Sequence, residues 1–205
     1  MTAPQAAPPL SRARSRPTWE IAQLFPNQGD WGEEEYLALG TNHLVEYVDG
    51  RLEFPPMPKT SHQLITAFLL RAMWAFVEPR GLGLALQAGV RVRLWKGRIR
   101  EPDVVFMLAD NRARCGEDCW DRADLVMEVV SPDDPDRDLE VKRVEYARAG
   151  IPEYWVVEPL AKRITVLKLR GKRYAVHGEF GKGEKATSAL LPGFSVDVSA
   201  ALKTE

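Results

Sequence analysis

The segment Leu125-Val126-Met127-Glu128-Val129-Val130 is almost unbroken apolar sequence. A strand without polar alternation is expected to be covered on both faces, so this chain needs packing layers on either side of a sheet. The turn-forming run Ser131-Pro-Asp-Asp-Pro-Asp136 closes that strand. Residues 136–149 then read as a helix with Gly150 as its C-terminal cap, and Tyr154–Glu158 reads as a second buried strand.

Upstream, Leu64, Ile65, Phe68, Leu69, Ala72, Met73, Phe76 and Val77 keep helical spacing from an N-cap at Ser61 to the stop at Pro79 and Gly81. Residues 83–108 read as three strands, LALQA, VRVRLW and PDVVFM, with a Lys96-Gly97 turn. Nearer the start, Asp30 with Glu33 predicts a capped short helix over Trp31–Leu39. Asp49-Gly50 predicts a hairpin between His43–Val48 and Arg51–Phe54. The loop 109–123 holds both cysteines, and Ile164–Leu169, Arg173–His177 and a last stretch to Val198 complete the sheet with antiparallel strands. The expected class is α/β, a mixed sheet flanked by helices with additional antiparallel strands.

Composition narrows the setting. With 205 residues, 45% hydrophobic and 28% charged, one globular domain over residues 18–205 is the default, preceded by an Ala/Pro-rich tail over residues 1–17. A net charge of -1 means that any nucleic-acid surface must be a local patch. Two cysteines are too few for a disulfide framework, and no segment has the length of a membrane span or the form of a signal peptide, so a cytoplasmic location is expected.

Glu128 interrupts the buried run, and an unpaired buried carboxylate costs several kcal/mol. A metal ion would satisfy it, and so would an ion pair with an arginine such as Arg143. Asp103 opens the run Val104-Val105-Phe106-Met107 directly after Pro102, a position that suits a turn residue or a ligand. If the two strands are neighbours, both carboxylates can converge on one hard cation, Mg²⁺ or Mn²⁺. Lys142 shares a helical stripe with Leu139, Tyr146 and Ala149, from which its ammonium either reaches the carboxylates or snorkels to water.

The segments LVEYVDGRLE, SHQLITAFLL, EPDVVFM, DLVMEVVSPDDPDRDLEVKRVEYARAGIPEYWVVEP and LLPGFSVDV occur in an order that resembles the Uma-type restriction endonucleases of bacteria, over about residues 30–200. That resemblance implies a restriction-endonuclease-like fold of the PD-(D/E)xK nuclease superfamily and a Mg²⁺- or Mn²⁺-dependent endonuclease acting on DNA. It implies Asp103 and Glu128 as metal carboxylates, the backbone carbonyl of Val129 as a further ligand, and Glu46 near the site. The superfamily pattern puts its lysine two residues after the second acid, where this chain has Val130, so Lys142 of the following helix takes that role.

Arg91 and Arg93 alternate with Val90, Val92 and Leu94, and Lys96, Arg98 and Arg100 extend the series: a DNA-facing strip or a solvated sheet face. Cys115 and Cys119 with His43, His62 and His177 make a poor zinc site. His62, at the start of a helix, reads as a surface residue or a substrate-orienting one. The rival readings are a catalytically inactive nucleic-acid-binding or assembly module on the same fold and a homo-oligomer, most simply a dimer, anchored by Trp19, Trp31 and Trp120.

Overall fold

A computed structural model describes residues 26–40 and 43–203 of the chain. In chain order it contains α1 (Glu33–Leu37), β1 (Glu46–Val48), β2 (Arg51–Glu53), α2 (Thr60–Val77), β3 (Gly83–Gln87), β4 (Val92–Trp95), β5 (Arg98–Arg100), β6 (Val104–Leu108), β7 (Trp120–Asp121) and β8 (Leu125–Val129). There follow α3 (Lys142–Ala149), β9 (Glu153–Glu158), β10 (Arg163–Arg170), β11 (Arg173–Phe180), β12 (Lys185–Thr187), β13 (Ser195–Asp197) and α4 (Val198–Ala201).

Six strands form the main sheet in the order β11-β10-β9-β8-β6-β3. The pair β8–β9 is parallel and its other pairs are antiparallel. All five residues of β8 are buried, as its apolar run requires, and successive side chains divide between two cores. Leu125, Met127 and Val129 pack with Ile65, Leu69 and Met73 of α2. Val126 packs on the other face with Tyr146 and Ala149 of α3. The mixed sheet between helices is thus the expected class, with a second, five-stranded sheet β2-β1-β5-β4-β7 beside it.

The Asp49-Gly50 hairpin forms as expected, with φ of +46° and +80°, the left-handed pair that a tight two-residue turn needs. Local chemistry displaces other boundaries. The first helix begins at Glu33, because Gly32 is its N-cap and Glu35 reaches back to the Gly32 N–H at 2.7 Å, not at Asp30 with Glu33 as its partner. The long helix is capped at Lys59 rather than Ser61. Arg98–Arg100 pairs with β1 and β4 as a strand of its own, and the 109–123 loop contains a 3₁₀ turn, Ala109–Arg114, and β7. The helix expected over 136–149 opens with a π turn, Arg137–Val141, before the α-helix proper.

Trp31 and Trp120 are buried inside the chain, so they do not anchor contacts with a second copy, while Trp19 and the tail over residues 1–17 lie outside the described residues. Among the described residues no helix is long and apolar enough to cross a membrane. Cys115 and Cys119 are free thiols.

The C-terminal segment is latched to the sheet by Glu153, which is 1% exposed. Its carboxylate accepts from Trp155 Nε1 at 2.6 Å, Ser188 Oγ at 2.7 Å, Ala189 N at 2.6 Å and Leu190 N at 2.7 Å. Removing a buried acceptor strands its donors, so Glu153→Ala should cost about 3 kcal/mol. Urea unfolding measures this, and a loss under about 1 kcal/mol, the worth of one ordinary hydrogen bond, would contradict the latch.

Candidate active site

The register of the main sheet decides whether the two candidate acids meet. Val104 pairs with Met127 in the antiparallel β6–β8 ladder. One step further, the same register sets Asp103 across from Glu128 on the same face, where opposed Cβ atoms are about 5 Å apart. Val129 N–H donates to Asp103 Oδ2 at 2.7 Å, tying the two strand ends together. Asp103 and Glu128 line one cavity of about 380 Å³, with Glu46, His62, Asp138 and Lys142 also in its wall.

Each acid is held by one oxygen. Asp103 Oδ2 takes the Val129 N–H and His62 Nε2, the latter at 3.1 Å. Glu128 Oε1 takes the Tyr146 hydroxyl at 2.5 Å and Lys142 Nζ at 2.9 Å. Among the described residues the second oxygen of each accepts no hydrogen bond. The partner of Glu128 is therefore Lys142, one residue from the Arg143 that a simple ion-pair reading suggested. Lys142 does not snorkel: it is 5% exposed and also meets Asp138 Oδ1 at 3.2 Å and Glu46 Oε1 at 3.5 Å.

The π turn explains how Asp138 joins. Its wider ring, closed by Lys142 N–H donating to Arg137 O, brings Asp138 and Lys142 to the same cavity wall. Asp138 is buried, and its Oδ1 has the ammonium nearby but no hydrogen bond of good geometry. Sequence reading missed it, although a buried acid four residues before a buried lysine is a signal in retrospect.

Glu46 is fully buried in β1 and lines the same cavity. Its carboxylate meets Arg100 Nη1 at 2.6 Å and Arg137 Nη2. Arg100, 1% exposed, also meets Glu53 at 2.7 Å and is gripped by Glu145 with Nε at 2.8 Å and Nη2 at 2.9 Å. The arginines read as a DNA-facing strip or a solvated sheet face are also engaged within the chain. Arg91 donates to the carbonyls of Leu37 and Leu39, Arg93 pairs with Glu33, and Arg98 pairs with Asp49 and Glu145.

Charge follows geometry. Burial alone would push the Glu46 carboxyl up, but Lys142, Arg100 and Arg137 outweigh it and hold it below the usual carboxylate range. Burial pushes the Glu128 carboxyl well up against the pull of Lys142, with Asp138 and Asp103 adding to the rise. Burial would lower Lys142, yet Glu128, Glu46 and Asp138 overcome it, so the ammonium stays charged. Glu46, Glu128 and Asp138 share Lys142, and Glu46 is also taken by the arginines. The charged lysine is the firm element, since three carboxylates lie within 3.5 Å.

A surplus of hard oxygens, with one oxygen of each facing acid unbonded, fits a divalent cation. Among the described residues no three His, Cys, Asp or Glu side chains are arranged to hold a metal ion. Mg²⁺ needs fewer, because it keeps several waters and binds through one or two carboxylates plus substrate oxygens.

One solved structure with this architecture is that of "a putative nuclease belonging to DUF820" from Anabaena variabilis ATCC 29413. It is 16% identical, with a TM-score of 0.66 over 83% of this chain and 97% of that one, which establishes the shared fold. No curated protein matches the chain. The model of the Uma2 family, described as "Putative restriction endonuclease", matches residues 33–199, and this chain belongs to that family.

Proposed function

We propose that the protein is a Mg²⁺- or Mn²⁺-dependent endonuclease that hydrolyses phosphodiester bonds in DNA. The observation that carries this reading is the facing pair Asp103 and Glu128, each fixed by protein donors at one oxygen and free at the other. Asp103 Oδ1 and Glu128 Oε2 would hold the cation, with the Val129 carbonyl as the further ligand that the family resemblance implies. When bound, such an ion polarises the phosphodiester and lowers the pKa of a coordinated water.

The chain's own residues supply orientation and charge. Lys142 stays protonated, which rules it out as a proton acceptor and suits it to stabilise negative charge gathering on the phosphate. Glu46 braces Lys142 from behind while anchored to Arg100 and Arg137, so its role in the site is to position the lysine. Tyr146 donates to Glu128 and fixes which oxygen faces the cavity.

A second reading, a catalytically inactive module on the same fold, is favoured by the absence of a third protein carboxylate or histidine arranged for a metal among the described residues. A plasmid-nicking assay separates the two. The nuclease reading expects cleavage with Mg²⁺ or Mn²⁺ and none with chelator. No cleavage in either metal would support the inactive module.

Two variant series follow. Asp103→Ala and Glu128→Ala should abolish nicking and lose the metal in calorimetric titration. Lys142→Met should keep metal binding and cut the rate by about 10²–10³-fold, the scale for removing one preorganised electrostatic contact. Equal metal loss in all three would contradict the roles.

Glu46→Gln should cost about 3 kcal/mol at pH 7, because it removes the fully buried charge that Arg100, Arg137 and Lys142 share, while Glu53 and Glu145 still hold the arginines. The folded-state pKa of Glu46 is depressed, so its contribution is present above the unfolded value of about 4.3 and fades as pH falls below it. Urea melts of both proteins should therefore converge in acid, and a gap constant from pH 7 to pH 3 would count against the ion cluster.

A further inference from the structure

We infer that His62 is a positioning residue of this site: it holds Asp103 so that Oδ1, and not Oδ2, faces the cavity. The inference rests on the metal-nuclease reading above. His62 lies in the first turn of α2, where the sequence leaves it as a surface residue or a substrate-orienting one. Its ring is instead 19% exposed and lies against Asp103, with Nε2 3.1 Å from Oδ2. A carboxylate only accepts, so Nε2 carries the proton whatever the charge of the ring. Together with the Val129 N–H, which donates at 2.7 Å, it meets Oδ2 from two different elements, a helix start and a strand end. A carboxylate clamped in this way cannot rotate about its terminal torsion without losing the Val129 hydrogen bond and the His62 contact.

The other ring nitrogen shows what this arrangement costs. Nδ1 is buried and has no hydrogen-bond partner. A buried polar atom left unpaired is destabilising, so a histidine retained for packing alone would be poorly suited here. Leucine or methionine would fill the same space without that penalty. The orientation makes sense for a ring held in place for the sake of its Nε2–H. Glutamine could deliver an N–H donor to a similar point, whereas leucine could not.

The test is a calorimetric Mn²⁺ titration of the full chain beside thermal melts, for wild type, His62→Leu and His62→Gln. Removing a partner that orients a metal ligand typically weakens metal binding about 10–100-fold. The expected result is a loss of that size in His62→Leu with its melting temperature unchanged or raised, and recovery to within a few-fold of wild type in His62→Gln. Mn²⁺ affinity in His62→Leu within twofold of wild type would overturn the inference. So would a lowered melting temperature with affinity intact, which is what a purely structural histidine gives. If wild type itself takes up no Mn²⁺, the nuclease reading fails, and the histidine is judged separately by ¹⁵N NMR of the ring. A protonated Nε2 whose signals move in Asp103→Ala supports the clamp, and signals indifferent to that substitution refute it.

Discussion

The buried guanidinium of Arg100 is the interaction on which the rest of the site depends. It comes from a three-residue strand in the smaller sheet and ends among Glu46 and Glu53 of the hairpin and Glu145 of α3. Burying a charge this deeply is tolerable only when every donor finds an acceptor, and here both ends of the fork are engaged. Three elements far apart in sequence are thereby clamped together. The clamp places Glu46 where it can reach Lys142, and it fixes α3 against the face of the sheet from which Glu128 projects.

Around that anchor the protein distributes unequal numbers of acids and bases. Arg100 and Arg137 are committed to Glu46 and its neighbours, leaving Lys142 as the main cation for Glu128 and Asp138. Asp103 faces the same cavity with His62 as its only side-chain partner among the described residues. A structural ion network normally balances its charges. An imbalance in the wall of a cavity that both acids line is the ground on which a further cation is proposed.

Family and fold set the architecture, whereas the roles proposed for the acid pair and Lys142 rest on the geometry of this chain. In the proposed site the ammonium comes from Lys142 of the helix that follows β8, and a π turn sets it alongside Asp138. The position of a charge in space matters here, and more than one backbone route delivers it.

Much was legible from local pattern. The unbroken apolar run announced β8, the spacing of Leu64 through Val77 announced α2, and Asp49-Gly50 announced the hairpin, since each depends on neighbours a few residues away. Glu128 stood out because a carboxylate inside an apolar run must find a partner, and Lys142 because it shares a stripe with buried residues. Tertiary structure alone decided which partners those were. The register that sets Asp103 opposite Glu128, the burial of Glu46, the engagement of Arg91 by backbone carbonyls and of Arg93, Arg98 and Arg100 by acids, and the approach of His62 to Asp103 all join segments far apart in the chain. Periodicity reports which face of an element a side chain occupies. It carries no information about what another element brings to that face, and the charge of this site is settled there.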